Sequence, residues 1–303
     1  MIQDIGVNRF HNEYCKEKPD PDSIVLCYRG REIFVKCEED QLIFLTYEEV
    51  TGQFPELKGH ETYLFRIDEK KFFLFRDPYG AGLNEKLSEK FPAYGWEKIE
   101  RMRTASSLDL AFAGVTGMQL SNWYSSRKFC PRCGHPLIHS EEERMMHCIA
   151  CGQVEYPKIC PAVIVGVVHQ DKLLLTKYAG RAFKRYALIA GFAEIGETIE
   201  ETVKREVMEE VGLNVKNMHY YKSQPWSFSE TILAGFFCQL DGSEKYHMDT
   251  RELSAAEWIS RDQIQERSQD ISLTGEMIEA FRTKTYPQYD MWEKNPENTA
   301  DRS

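Results

Sequence analysis

Gly191 to Leu213 reads Gly-Phe-Ala-Glu-Ile-Gly-Glu-Thr-Ile-Glu-Glu-Thr-Val-Lys-Arg-Glu-Val-Met-Glu-Glu-Val-Gly-Leu, which sets Glu197, Arg205, Glu206, Glu209 and Glu210 at fixed spacing. Thr198 with Glu201 three residues later forms a capping box, and Gly212 with Leu213 supplies a left-handed stop, so a helix of about 14 residues is expected between them. At roughly 100° per residue, Glu206, Glu209 and Glu210 fall within about 100° of one another, while Val203, Val207 and Val211 form an apolar stripe about 110° round. The valines can bury while the carboxylates face a cleft. An acidic helix face is ordinarily only solvated. Three carboxylates this close repel, however, and hard divalent cations between them relieve the repulsion; oxygen donors suit Mg²⁺ or Mn²⁺ rather than zinc. Such a helix is suited to hydrolysing a diphosphate bridge, because the cations neutralise phosphoryl oxygens and orient an acidified water for in-line attack.

A second constellation has different chemistry. Cys130-Pro-Arg-Cys133-Gly and Cys148-Ile-Ala-Cys151-Gly are paired knuckles with residues 134–147 between them. Two reverse turns of this kind aim four thiolates at one tetrahedral ion, the pattern of a zinc ribbon. Four thiolates fill the coordination sphere and leave no water to activate, so one structural Zn²⁺ per chain is expected. A ribbon also serves elsewhere to bind nucleic acid or a partner.

The stretch from Gly191 resembles the signature of the Nudix hydrolases, Gly-x5-Glu-x7-Arg-Glu-U-x-Glu-Glu-x-Gly-U with U aliphatic, and every fixed position is filled. At typical residue frequencies of roughly 5 to 10% per position, a chance match is very improbable. The resemblance implies that Glu206 and Glu210 are direct ligands of two or three Mg²⁺ or Mn²⁺ ions, joined by the backbone carbonyl of Ala190. Glu209 is implied to be a ligand or the general base, with the choice left open. Arg205 and Glu197 are expected to brace each other and the loop.

Beyond the box lies Ser223-Gln224-Pro225-Trp226-Ser227-Phe228-Ser229-Glu230-Thr231. This resembles the Ser-Gln-Pro-Trp-Pro-Phe-Pro-x-Ser signature of the NADH pyrophosphatases within the Nudix hydrolases, a group that also removes NAD caps from RNA. The chain departs from it at Ser227, Ser229 and Thr231; losing two prolines frees φ at two loop positions. The resemblance, strongest over residues 130–258, implies that Gln224 to Thr231 bind NADH or NAD, with NAD-capped RNA as a larger substrate. It also implies that Glu252 is an additional metal-binding carboxylate and that the chain forms a symmetric homodimer. On the residues alone, Trp226 or Phe228 can offer a face to a flat ring and Gln224 a hydrogen bond, with Phe192 and Tyr156 as further stacking candidates. The bland reading of each ring is core packing. Two other functions share these features: a Nudix hydrolase of ADP-ribose or another nucleoside diphosphate derivative, and a non-catalytic nucleotide sensor or RNA-binding regulator. Retention of every charged box residue argues against the sensor.

These residues must be positioned by the elements around them. Short apolar runs at Ser23–Tyr28, Ile33–Val35, Leu42–Thr46, Tyr63–Ile67 and Phe72–Phe75, separated by charged turns, predict a mostly antiparallel N-terminal sheet. Ser106 or Ser107 can cap a helix to about Tyr124. After Tyr156-Pro157, Ala162–Val168 and Lys172–Thr176 read as a hairpin, Arg185–Ala190 as a strand entering the box, and Val215–Gln224, Thr231–Leu240 and Leu253–Ile259 as further strands before a closing helix from Ser272 to about Phe281. The expected fold class is α/β: an α/β/α Nudix sandwich around a mixed sheet, preceded by a zinc ribbon and a mostly β N-terminal domain. The expected domains are residues 1–124, the ribbon 125–156, the Nudix domain 157–288, and a polar tail 289–303.

With 303 residues the chain is long enough for two domains and a small insert, and 42% hydrophobic content is ordinary for a globular protein. A net charge of −10 offers no basic surface to draw nucleic acid or anionic membrane in bulk. No signal region and no apolar run of about 18 residues is read, and Ala-Asp-Arg-Ser is not a peroxisomal address, so a cytoplasmic protein without a membrane partner is expected. Nine cysteines, four of them in the knuckles, do not read as a disulfide scaffold.

Overall fold

The computed structural model describes residues 1–75, 82–180, 185–266 and 270–286; the expected polar tail 289–303 lies outside the described residues. Two compact units result: Met1 with Ile159–Trp226 and the residues from Thr231 onward, and Ile2–Lys158 with Ser227–Glu230.

In the first unit the apolar run after Tyr156-Pro157 becomes the strand Cys160–His169, which turns at Gln170 and Asp171 into Lys172–Tyr178. The sheet order is Asn214–Trp226, Thr231–Asp241, Cys160–His169, Lys172–Tyr178, Leu253–Ser260, with Ile189–Phe192 also paired to Cys160–His169. The Cys160–His169 and Thr231–Asp241 pair is parallel and the others are antiparallel, so the sheet is mixed. Alternation along the central strand explains the two covering layers. Val163, Val165 and Val167 face the helix Ile199–Val211, whereas Ile164 and Val168 face the closing helix Leu273–Arg282. Val203, Val207 and Val211 are fully buried, as their spacing requires. Burying each such side chain stabilises by about 1.5 to 3 kcal/mol. This is the expected α/β/α sandwich. The strand expected at Arg185–Ala190 sits later: only Ala187 makes an isolated bridge, to Thr176, before regular pairing over Ile189–Phe192.

In the second unit, a five-stranded sheet takes the order Phe10–His11, Glu61–Ile67, Lys70–Phe75, Ile24–Leu26, Leu45–Thr46, with Ile24–Leu26 parallel to Lys70–Phe75 and the rest antiparallel. Glu32–Glu38 organises a second sheet with Tyr28–Arg29, Gln41–Ile43 and Gly95–Lys98. Two short helices, Tyr47–Gln53 and Leu83–Lys90, stand where only strands and turns were expected. The first had a legible signal, the Thr46 to Glu49 capping box, but its seven residues are too few to show helical periodicity. The helix Leu108–Ser126 forms with Ser107 at its N-cap. No side-chain hydrogen bond caps it, contrary to expectation; the Ser106 hydroxyl donates instead to the Asp40 carbonyl. Three short antiparallel strands, Ile138–His139, Met146–His147 and Val154–Glu155, frame the ribbon. No helix among the described residues is long and apolar enough to cross a membrane.

Candidate active site

Thr198 opens the box helix as anticipated: its hydroxyl accepts the Glu201 N–H, the Glu201 carboxylate accepts the Thr198 N–H, and Gly212 closes the helix in the left-handed region at φ 66°. The strand Ile189–Phe192 lies beside it. Its Gly191 opposes Val163 of the central strand and its Ala190 opposes Ile164. The N–H and C=O of one extended residue point the same way, so Ala190 and Phe192 turn their polar groups from the sheet toward the helix. There the Ala190 N–H donates to Glu210 Oε1 at 3.4 Å, and the Phe192 carbonyl accepts from Arg205 Nη2 at 2.8 Å. The Ala190 carbonyl therefore faces the same side chains.

Gly191 shows why the box begins with glycine. The Glu206 carboxyl packs on its Cα so closely that an added Cβ would lie 1.9 Å from Glu206 Cδ. Glu206 and Glu210 are buried, with relative exposures of 8% and 1%, whereas Glu209 is open to solvent. The three carboxylates are thus unequally exposed, a difference that the helical angles alone do not give. Arg205 joins them. Its Nη1 donates to Glu206 Oε1 at 2.8 Å and Glu209 Oε2 at 2.9 Å, while its Nε donates to Glu197 Oε1 at 2.5 Å and Nη2 to Glu197 Oε2 at 2.9 Å. Glu197 also accepts the Glu194 N–H and the Thr202 hydroxyl. The hydrogen bonds from Arg205 and the Glu194 N–H hold its carboxyl at about 2. Arg205 and Glu197 are thereby a brace across the loop, the arrangement expected of them.

Burial pushes Glu210 up to about 8 against the Ala190 hydrogen bond, and the carboxylates of Glu206, Glu252 and Asp249 add to the rise. Burial likewise raises Glu206, opposed by Arg205. Glu252 is itself exposed, yet its charge acts on both box carboxylates, so the structure brings it to the same place. The segment before it docks on the helix end, where the Asp249 N–H donates to the Glu210 carbonyl and the His247 N–H to the Val211 carbonyl. Asp249, paired through two oxygens with Arg251 and held at about 2 by those bonds, was not singled out from sequence. Its nearness to the box follows from chain folding beyond Gly212, which no local pattern encodes.

The donor set fits a hard divalent cation. Glu210 Oε2 is buried without a hydrogen-bond partner, and a buried carboxylate of this kind is stabilised in its charged form by a cation. Arg205 Nη1 draws one oxygen each of Glu206 and Glu209 to itself and leaves their second oxygens to other partners. Among the described residues, only the Sγ atoms of Cys130, Cys133, Cys148 and Cys151 form a group of three or more metal-ligating atoms within 4.8 Å of one another. Their separations of 3.4, 3.5 and 3.6 Å approach the edge of about 3.8 Å that a Zn–S distance of ~2.3 Å gives in a tetrahedron. The Gly134 and Gly152 N–H groups close the two knuckles onto the Cys130 and Cys148 carbonyls. The five remaining cysteines are free thiols, as expected.

The aromatic signature divides on folding. Gln224 is fully buried: its Nε2 donates to the Ile271 carbonyl at 2.9 Å and its Oε1 accepts the Leu273 N–H at 2.6 Å. Both polar ends of the amide thus hold the start of the closing helix, which corrects the expectation of a hydrogen bond to a base. Pro225 is exposed and Trp226 half-buried; Trp226 pairs with the buried Thr231 across the hairpin. Ser227–Ser229 form a 3₁₀ turn in the second unit, where Ser227 and Phe228 are buried, Ser229 is exposed, and Glu230 pairs with Lys158 at 3.1 Å. The Phe228 ring lies under the Arg103 guanidinium at 4.8 Å, which corrects its expected role as an open stacking face. Phe192 and Tyr156 keep exposed rings, the latter donating its hydroxyl to Glu143 at 2.9 Å. Two cavities of about 740 and 640 Å³ lie elsewhere and include no box residue, so carboxylate chemistry, not cavity size, marks the site.

Comparison with known proteins agrees with this arrangement. Residues 158–281 match the NUDIX domain and residues 125–156 the NADH pyrophosphatase zinc ribbon domain. The chain is 40% identical over 148 residues to proteins named NAD-capped RNA hydrolase NudC from Salmonella heidelberg (strain SL476) and Salmonella paratyphi C (strain RKS4594), matching 49% of this chain and 57% of each relative. It thus spans little more than half the length of these relatives. A solved NUDIX hydrolase from Nitrosomonas europaea aligns with 53% of this chain and 94% of its own at a TM-score of 0.45 and 20% identity. Box helix, mixed sheet and cysteine knuckles coincide with the two matched regions, so residues 158–281 are a NUDIX domain and residues 125–156 ahead of it an NADH pyrophosphatase zinc ribbon domain.

Proposed function

We propose that this protein hydrolyses the pyrophosphate bond of NADH or NAD to nicotinamide mononucleotide and AMP, and that it also removes NAD caps from RNA 5′ ends. The observation that supports this most is the box itself: Glu206 and Glu210 buried against Gly191 and Ala190, with Glu209, Glu252 and the Arg205–Glu197 brace beside them. The relatives named as NAD-capped RNA hydrolases direct the reading toward NAD. Glu206, Glu209, Glu210, Glu252 and the Ala190 carbonyl would hold two or three Mg²⁺ or Mn²⁺ ions. When bound, such ions neutralise the diphosphate oxygens and acidify a water for attack.

The chain's own groups then have distinct tasks. Arg205 fixes the side chains of Glu206 and Glu209 and ties the loop through Phe192 and Glu197. Glu209, the exposed member, is free to serve as ligand or as the base that takes the water's proton. Trp226, Phe192 and Tyr156 are the rings with accessible surface for a base or nicotinamide. The zinc ribbon supplies a structural Zn²⁺. The site works in a symmetric homodimer in the cytoplasm, with no membrane partner.

Truncating Trp226 to Ala tests the substrate assignment. Loss of a stacked ring removes about 1 to 3 kcal/mol of binding, so kcat/KM for NADH should fall at least about tenfold, with a much smaller loss on a minimal diphosphate ester lacking the second ring. Equal losses on both substrates in a folded variant would put the ADP-ribose-type reading ahead.

A further inference from the structure

Ser227–Glu230, the turn at the tip of the Asn214–Trp226 and Thr231–Asp241 hairpin, belongs with Ile2–Lys158 in the second unit, while Trp226 and Thr231 on either side belong to the first. Three contacts fix it there. Arg31 Nη1 donates to the Phe228 carbonyl at 2.9 Å, and the same guanidinium is aimed by Glu100, which accepts from Nη2 at 2.7 Å. Arg103 lies over the Phe228 ring at 4.8 Å, and Lys158 pairs with Glu230. Lys158 is steadied in turn, because the Gln119 side chain donates to its carbonyl at 2.9 Å. Phe228 is 6% exposed, so its ring has almost no free surface.

We infer that Arg31 and Arg103 are positioning residues for substrate recognition: they clamp Phe228 so that the neighbouring Trp226 is presented as the stacking ring. The clamp gives the N-terminal residues a task in the reaction, and it rests on the NADH-cleaving reading above. A cation over a ring and a charge-assisted hydrogen bond to a carbonyl are each modest, but together they remove the freedom of a four-residue turn. A turn with Ser227 and Ser229 in place of prolines has more of that freedom to lose. Trp226 is connected to Phe228 through a single residue, so order at Phe228 transmits directly to the tryptophan backbone.

The full-length Arg31→Ala and Arg103→Ala proteins test this by hydrogen exchange and by kinetics. Exchange of the peptide covering residues 226–231 is expected to speed up at least about fivefold in each variant, with the box-helix peptide unchanged. KM for NADH is expected to rise at least about threefold with kcat within about twofold, the minimal diphosphate ester is expected to be cleaved as before, and Arg103→Lys is expected to recover most of the loss. Unchanged exchange at residues 226–231 would overturn the clamp whatever the substrate is. Faster exchange with unaltered KM for NADH, or equal kcat losses on both substrates, would overturn its role in recognition. Failure of the unsubstituted protein to cleave NADH would instead overturn the functional reading, with the exchange result still deciding the clamp.

Discussion

Glu206 is held by Gly191 on one side and Arg205 on the other, and that pair of contacts makes its position sensitive to small changes. Gly191→Ala would drive a methyl group into the carboxyl, so activity should drop at least about tenfold while the melting temperature changes by only a few degrees, since the strand itself tolerates alanine. Thermal melts beside steady-state rates would check this; full activity in the alanine variant would show that Glu206 need not sit where it does. Replacing Glu206 or Glu210 by Gln keeps volume and removes charge. Turnover should fall by at least about two orders of magnitude, with folding intact or improved, because Glu210 is a buried acid raised to about 8 by that burial. The box geometry was legible because Glu197 to Glu210 lie within one helix and its entry loop, where spacing fixes positions. The settings of Gln224 and Phe228 were not: their hydrogen-bond partners stand 47, 49 and 197 residues away. An amide or ring in a signature reads the same whether it meets a ligand or the chain's own backbone.

At the level of elements, the central strand was readable from its unbroken apolar run, and both covering helices from their caps at Thr198 and Ser272. The helices Tyr47–Gln53 and Leu83–Lys90 were missed because neither is longer than eight residues, so tertiary packing rather than periodicity stabilises them. The ribbon was readable from four cysteines alone, since turn geometry and coordination are both local. Its strands are two residues each, too short to hold together by pairing, so the metal should carry the stability of this element. Cys130→Ser is expected to lower bound zinc and thermal stability together. Mild EDTA followed by Mg²⁺ should by contrast restore activity, because thiolates hold zinc far more tightly than carboxylates hold Mg²⁺. Metal analysis after dialysis decides it: about one zinc per chain is expected under the tetrathiolate arrangement, and none would rule out the ribbon.

For the whole molecule, the boundary of the compact units does not follow the signatures. The ribbon, matched as a domain of its own over residues 125–156, groups with the N-terminal sheets in one unit, and four residues of the hairpin tip join them. Packing across long sequence separations draws that boundary, and no window of the chain contains it. With a net charge of −10, the RNA substrate proposed above would have to be selected at a local recognition site and not by a basic surface. The central claim is that the box cuts a dinucleotide at its pyrophosphate. It is tested most directly by incubating the intact protein with Mg²⁺ or Mn²⁺ and a panel of NADH, NAD, ADP-ribose and other nucleoside diphosphate derivatives, with products separated by chromatography. Preferential, metal-dependent conversion of NADH or NAD to nicotinamide mononucleotide and AMP is the predicted result; cleavage of ADP-ribose with NADH and NAD left intact, or of no substrate at all, would contradict it.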